Sequence, residues 1–236
     1  MTDDLVAHTI VVTGHGGDEI EAYFARPLHD EPRPGVVVLH HMPGFDWAMK
    51  EMARRLAAFG HDAVMPNLHH RYAPGAAPEE ASAAAKEAGG VPDDQLLGDV
   101  QGAVGLLRAQ PQLNGRVGVL GFCSGGRQAW LTACTLEVDA AVDCYGGRAD
   151  LSRAPGLRCP LLGLFGNEDT NPSPADVDAM ETALRAHDKA FELHRYDGAG
   201  HAFLSVDRSG YRVEAAQDGW RRIRAFFDAH LGPGTR

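Results

Sequence analysis

Gly121-Phe122-Cys123-Ser124-Gly125-Gly126 is the stretch that decides the fold. It follows the apolar run Val117-Gly118-Val119-Leu120 and precedes a helical pattern from Arg127 to Leu136. Strand, sharp turn, helix is the setting in which Gly-x-nucleophile-x-Gly carries meaning. Such a turn forces its central residue into a strained backbone conformation, and glycines two positions to either side leave the room it needs. The nucleophile position holds cysteine rather than the commoner serine. A thiol at a helix N-terminus sits in the positive end of the helix dipole, which favours thiolate.

Outward from this turn, strand-like and helix-like segments alternate. Ile10 to Val12 and Ile20 to Phe24 flank Gly14-His15-Gly16-Gly17-Asp18, an opening hairpin. Gly35 to Leu39 is wholly apolar, as expected of a buried parallel strand. Met49 to Phe59 carries Met49, Met52, Ala53, Leu56 and Phe59 on one helical face and stops at Gly60. Ala63 to Met65, Val117 to Gly121, Ala140 to Val142, Leu161 to Phe165 and Phe191 to Tyr196 read as further strands. Leu96 to Ala109, Ala175 to His187 and Glu214 to His230 read as helices, and Gly232 to Arg236 as a frayed tail. Residues 67–92, rich in His, Pro, Ala and Gly with a helix over Glu79 to Ala88, form an excursion that shapes a substrate pocket. The expectation is one α/β domain over residues 1–236, a mostly parallel, doubly wound sheet flanked by helices.

The bulk composition narrows the partners. A formal net charge of −10 argues against nucleic acid and anionic membrane surfaces. No apolar run is long enough to span a bilayer, and Met1-Thr2-Asp3-Asp4 lacks the basic and apolar regions of a signal peptide. The four cysteines have no CxxC spacing, so neither a zinc site nor a disulfide scaffold is expected, and the setting reads as reduced and cytoplasmic.

In an open α/β sheet, ligands bind beyond the carboxyl ends of the strands. There the chain places Cys123, then Asp169 in Gly166-Asn167-Glu168-Asp169, then His201 in Asp197-Gly198-Ala199-Gly200-His201. Nucleophile, acid, histidine is the chain order of the α/β-hydrolase triad. His201 can take the thiol proton and return one to the leaving group, and Asp169 can fix its tautomer. Cys123 then forms a thioester. An oxyanion needs two aimed N–H donors. Ser124, next after the nucleophile, is one, and Met42, in the loop after Val36 to Leu39, is the other. Glu168 is the rival acid and is disfavoured by the pattern.

These residues resemble the dienelactone hydrolase family, the carboxymethylenebutenolidase type of α/β-hydrolase. The resemblance covers nearly the whole chain. It rests on Gly121 to Gly126, Gly166 to Asp169 and Gly198-Ala199-Gly200-His201-Ala202-Phe203, supported by Pro66-Asn67-Leu68, Ala73-Pro74-Gly75 and Asn114 to Gly118. It implies an α/β-hydrolase fold and hydrolysis of a small lactone or activated carboxylic ester through a cysteine acyl-enzyme, with no metal and no cofactor. It also implies substrate-binding positions at His41, Lys86 and Ser205. His41 stands where relatives carry a glutamate beside the nucleophile. Lys86 matches one of two arginines that bind a substrate carboxylate, and Ser205 falls at the other. Tyr145, at the end of the Ala140 to Val142 strand, is a candidate pocket aromatic, as is Trp47.

The pairs His40-His41 and His69-His70 invite a metal reading. Adjacent histidines point apart, and no carboxylate or thiolate stands at ligand spacing, so pocket lining with supporting hydrogen bonds is favoured. Two alternatives to a hydrolase acting as a monomer or small homo-oligomer are weighed: a non-catalytic ligand-binding protein on the same scaffold, and a lyase or isomerase reusing the pocket. The intact triad argues against the first; the His41 departure keeps the second open.

Overall fold

In the computed structural model, residues 5–232 are described. Most of the predicted tail, residues 233–236, and the acidic start at residues 1–4 lie outside them. Two compact units divide the chain, residues 1–117 and 118–236.

The first unit opens with the expected hairpin. Strand β1 (Leu5–Thr13) pairs antiparallel with β2 (Glu19–Pro27), from Leu5 against Pro27 to Thr13 against Glu19. The turn is made by Gly16 and Gly17 at φ of 68° and 88°, a region that glycine enters without steric cost. It is held from outside: the buried Asp99 carboxylate accepts the His15 N–H at 2.8 Å and two bonds from Arg71, at 2.8 and 2.9 Å. Strand β2 pairs antiparallel with β4 (Asp62–Pro66), which pairs parallel with β3 (Arg33–Leu39). Val36 to Leu39 and Ala63 to Met65 have no exposed surface, as a run apolar on both faces requires. A buried ion pair, Arg33 Nε to Asp62 Oδ1 at 2.5 Å, ties the bases of β3 and β4 together.

Helix α1 (Trp47–Ala58) begins where Asp46 caps the Met49 N–H at 2.8 Å. It buries Met49, Met52, Ala53 and Leu56, the stripe read from the sequence. Helix α2 (Pro78–Glu87) lies within the 67–92 excursion, and α3 (Asp93–Arg108) follows it.

The second unit is parallel throughout its strand pairs. Strand β5 (Leu113–Phe122) carries Gly118 to Phe122 alongside β6 (Ala140–Cys144). Next come β7 (Leu161–Gly166) and β8 (Phe191–Tyr196). Every residue of β6 and β7 is buried. Helices α4 (Ser124–Thr135), α5 (Pro174–Ala186) and α6 (Val213–Leu231) complete it. Helix α5 starts at a reciprocal cap between Ser173 and Asp176. Helix α6 buries Trp220, Ile223, Phe226, Phe227 and Leu231 along one stripe. Helix α4 begins three residues earlier than its apolar pattern indicates. Ser124, Gly125 and Gly126 carry no hydrophobic signal, yet Gly126 already bonds back to the Cys123 carbonyl at 2.9 Å.

Candidate active site

The turn between β5 and α4 holds Cys123 at φ 56° and ψ −117°, a conformation costly for any residue with a side chain. The surroundings fix it there. The Cys123 N–H donates to the Cys144 carbonyl at 3.0 Å, and its own carbonyl starts α4. A Cβ at Gly121 would run into the Gly125 carbonyl oxygen, so no other residue fits at that position. Cys123 is part-exposed, ahead of a helix N-terminus.

Asp169 follows β7 and is buried. Its Oδ1 accepts the Asn171 N–H at 2.9 Å, and its Oδ2 lies 2.8 Å from His201 Nδ1. Glu168 beside it is exposed. His201 follows β8 with its side chain about a third exposed. A hydrogen bond with Cys123 is the largest influence holding its imidazole up to about 9. The charge of Cys123 and the Asp169 carboxylate add to that, and partial burial opposes it. Because Nδ1 faces a carboxylate, it carries a proton, which turns Nε2 to the thiol side. The second unit thus brings Cys123, His201 and Asp169 into one chain of contacts.

Tyr145 follows β6 at φ 46°, fully buried. Its ring meets the His201 imidazole edge-on, with centroids 5.2 Å apart, and its hydroxyl lies 3.2 Å from Ser205 Oγ. Ser205 is equally buried. The Tyr145 ring backs the histidine, and Ser205 holds the Tyr145 hydroxyl. Burial pushes the thiols of Cys134 and Cys159 up to about 12 and raises that of Cys144 well above its ordinary value.

Asp143 on β6 was not signalled by the sequence. It stands between Gly121 and Gly163 on the neighbouring strands. Its Oδ1 accepts the Gly146 N–H at 2.8 Å, while its buried Oδ2 has no hydrogen-bond partner among the described residues. Burial raises its carboxyl to about 7. A lone Asp inside Ala140-Ala141-Val142-Asp143-Cys144 was the available clue.

Ser124, one predicted oxyanion donor, opens α4 in the second unit; the other predicted residues lie in the first. Met42 is 40% exposed, with the Ser82 hydroxyl 3.6 Å from its sulfur. His41 is buried and sets Nε2 2.7 Å from Asp46 Oδ2, joining the cap of α1. Lys86 is exposed on α2, away from the buried face of Ala81, Ser82 and Ala85. Trp47 is 61% exposed. His40 accepts the Leu68 N–H at Nε2 (3.2 Å), so Nδ1 carries the proton and donates to the His41 carbonyl (3.0 Å). Burial holds its imidazole down to about 3. His69 donates from Nδ1 to the Pro43 carbonyl at 3.2 Å. These histidines brace the loop after β3 against the loop after β4. Among the described residues, no group of three or more His, Cys, Asp or Glu side chains has metal-binding geometry.

Residues 20–231 match the dienelactone hydrolase family. A "Putative carboxymethylenebutenolidase" of Methylorubrum extorquens is 34% identical over 221 residues, 88% of this chain and 76% of that protein. One from Salmonella typhimurium is 34% identical over 229 residues, 92% and 85% of the two chains. A crystal structure of a "Putative Dienelactone Hydrolase" from Klebsiella pneumoniae superposes with a TM-score of 0.86 at 32% identity, covering 94% of this chain and 98% of that one. The fold is therefore of the α/β-hydrolase type.

Proposed function

The chain belongs to the dienelactone hydrolase family, which makes it a hydrolase of the lactone and ester class, and from that premise we propose that it opens a small lactone or carboxylic ester through a thioester on Cys123. The observation that carries this is His201, in contact with Asp169 at 2.8 Å on one side and hydrogen-bonded with Cys123 on the other.

In the proposed reaction, Cys123 Sγ attacks the acyl carbon, its proton being held on His201 Nε2. The carbonyl oxygen becomes an oxyanion, for which the Ser124 and Met42 N–H groups are the assigned donors. The C–O bond then breaks, and His201 protonates the departing oxygen; in a lactone that oxygen stays on the acyl chain. Water, losing a proton to His201, attacks the thioester, and Sγ leaves as thiolate or recovers the proton. Asp169 holds the imidazole in the tautomer both half-reactions need. Tyr145 contributes by fixing the ring face of His201, and Ser205 by holding the Tyr145 hydroxyl. His41 is proposed to act on substrate through the loop it shares with Met42, and Lys86 to favour acidic substrates. The substrate is a small molecule. Among the described residues, no helix is long and apolar enough to cross a membrane. Four free cysteines support a reduced, cytoplasmic setting.

The test is rapid quenching of the enzyme with p-nitrophenyl acetate, followed by peptide mass spectrometry. An acyl mass on Cys123 is expected. Cys123→Ala should lower kcat by roughly 10³-fold or more, as loss of a triad nucleophile does. A Cys123→Ala enzyme that keeps most of its turnover would end the thiol mechanism.

A further inference from the structure

The first unit contains a cavity of about 220 Å³. At roughly 30 Å³ per water, it has room for about seven water-sized atoms. Its polar lining comes from Thr9 on β1, Glu21 on β2, Lys50 on α1, and Asn67 and His69 after β4. Pro43, Phe45, Pro78 and Ala81 supply an apolar wall.

The charges in this lining are opposite but separate. Lys50 Nζ lies 4.2 Å from the centre of the Phe45 ring and 5.6 Å from that of Tyr23. Among the described residues, no carboxylate comes within ion-pair distance of it. Aromatic faces hold an ammonium in place but do not replace a hydrogen-bonding anion. Glu21 faces the same space with long contacts only, 3.4 Å to Asn67 Nδ2 and 3.5 Å to His70 Nδ1. His69 spends its Nδ1 proton on the Pro43 carbonyl, and burial keeps the ring neutral. That leaves Nε2 as a hydrogen-bond acceptor. The cavity therefore offers one cationic donor at Lys50, two acceptors at Glu21 and His69, and an apolar wall.

Few small molecules complement that set. A simple anion would meet the Glu21 carboxylate, and a simple cation would meet Lys50. A neutral apolar molecule would cover these polar groups without giving them partners, which costs more than the contact returns. A carboxylate that also carries an O–H or N–H answers both charges: its anion on Lys50, its donor on Glu21 or His69, its short carbon chain against Pro43 and Phe45.

We propose that this cavity is a binding site for small hydroxy or amino acids. Lys50 takes the carboxylate, and Glu21 and His69 accept from the hydroxyl or ammonium. None of Lys50, Glu21 and His69 is assigned a part in the thiol chemistry, so binding here can be tested apart from it.

Isothermal titration of the wild-type chain with lactate, alanine, propionate and lactamide tests it. Saturable binding of lactate or alanine is expected. Propionate, which lacks the donor, and lactamide, which lacks the charge, should each bind at least tenfold more weakly. A response to lactate alone assigns hydroxy acids; a response to alanine alone assigns amino acids. Lys50→Gln should weaken binding tenfold or more, while Lys50→Arg, which keeps the charge, should restore most of it. Circular dichroism on both variants verifies the fold. The proposal is overturned if neither lactate nor alanine saturates below about 10 mM, or if folded Lys50→Gln binds as well as wild type. Heat of binding is measured without turnover, so failure of the Cys123 mechanism would leave this result unchanged.

Discussion

His201 is the residue on which two opposing effects can be weighed. Partial burial alone would lower its pKa, since a desolvated imidazole prefers to be neutral. Instead it is raised to about 9, first through its hydrogen bond with Cys123 and only then through Asp169. The ordering yields an expected outcome. Removing the sulfur in Cys123→Ala takes away the leading cause, so the imidazole should titrate well below 9. Asp169→Asn should bring a smaller fall. The sign is that of a cationic group stabilised by its partner: the interaction is complete below the ordinary histidine value of 6.5 and is lost as pH rises through about 9. Two-dimensional NMR of the His201 ring, titrated in wild type and both variants, measures this. A Cys123→Ala protein with His201 still titrating near 9 would mean that the sulfur does not govern the imidazole. Alkylation gives a second view of the same pair. Iodoacetamide should label Cys123 before Cys134, Cys144 and Cys159, whose thiols burial holds protonated.

Strand β6 shows what a single polar residue does to an otherwise apolar element. Asp143 has no exposed surface, and among the described residues only one of its two oxygens is hydrogen-bonded. Burial lifts its carboxyl from the model-peptide 3.8 to about 7. In the unfolded chain the group ionises above 3.8, while in the folded protein it keeps its proton until about 7. Stability is therefore intact below 3.8 and falls as pH climbs through that window, by roughly 4 kcal/mol in full. Asp143→Asn is neutral at every pH and can still accept the Gly146 N–H. It should match wild type near pH 4 and melt several degrees higher at pH 7. Equal melting temperatures at pH 7 would show that Asp143 has found a charge-stabilising partner. This residue also marks how far the sequence could be read. The strands, the helices and their order were legible because apolar runs and 3.6-residue stripes report burial directly. Cys123, Asp169 and His201 were legible because each follows a strand in a fixed chain order. Asp143, the Arg33–Asp62 pair and the Tyr145–Ser205 contact were not, because each depends on which strand or loop lies alongside, and a pattern along one segment does not carry that. The start of α4 was missed for a local reason: its first turn is Ser-Gly-Gly, weak helix formers held by the bonds of the elbow.

At the scale of the whole molecule, the question is whether residues 1–117 and 118–236 fold separately. Each has its own buried core, which would permit it. The position of the division argues otherwise. Independent domains are joined through exposed linkers that few contacts cross. Here the division falls between Val117 and Gly118, inside β5, where both residues sit in a continuous ten-residue strand and Val117 is fully buried. Melting one unit alone would require β5 to fray from its middle, exposing Val117 if the first unit melts, or Val119 and Leu120 if the second does, at about 1.5–3 kcal/mol for each large apolar side chain. The match to one family also runs through this point, from residue 20 to 231. Unfolding is therefore expected as one cooperative event, with a single endotherm in differential scanning calorimetry and a van't Hoff enthalpy close to the calorimetric one. Gly118→Val sharpens the test. A side chain there would press on Leu231 and Phe227, so the variant should lower the transition temperature. If the chain is one domain, the transition stays single as it moves down. Two resolved endotherms, in wild type or in the variant, would assign the two units to separate folding domains.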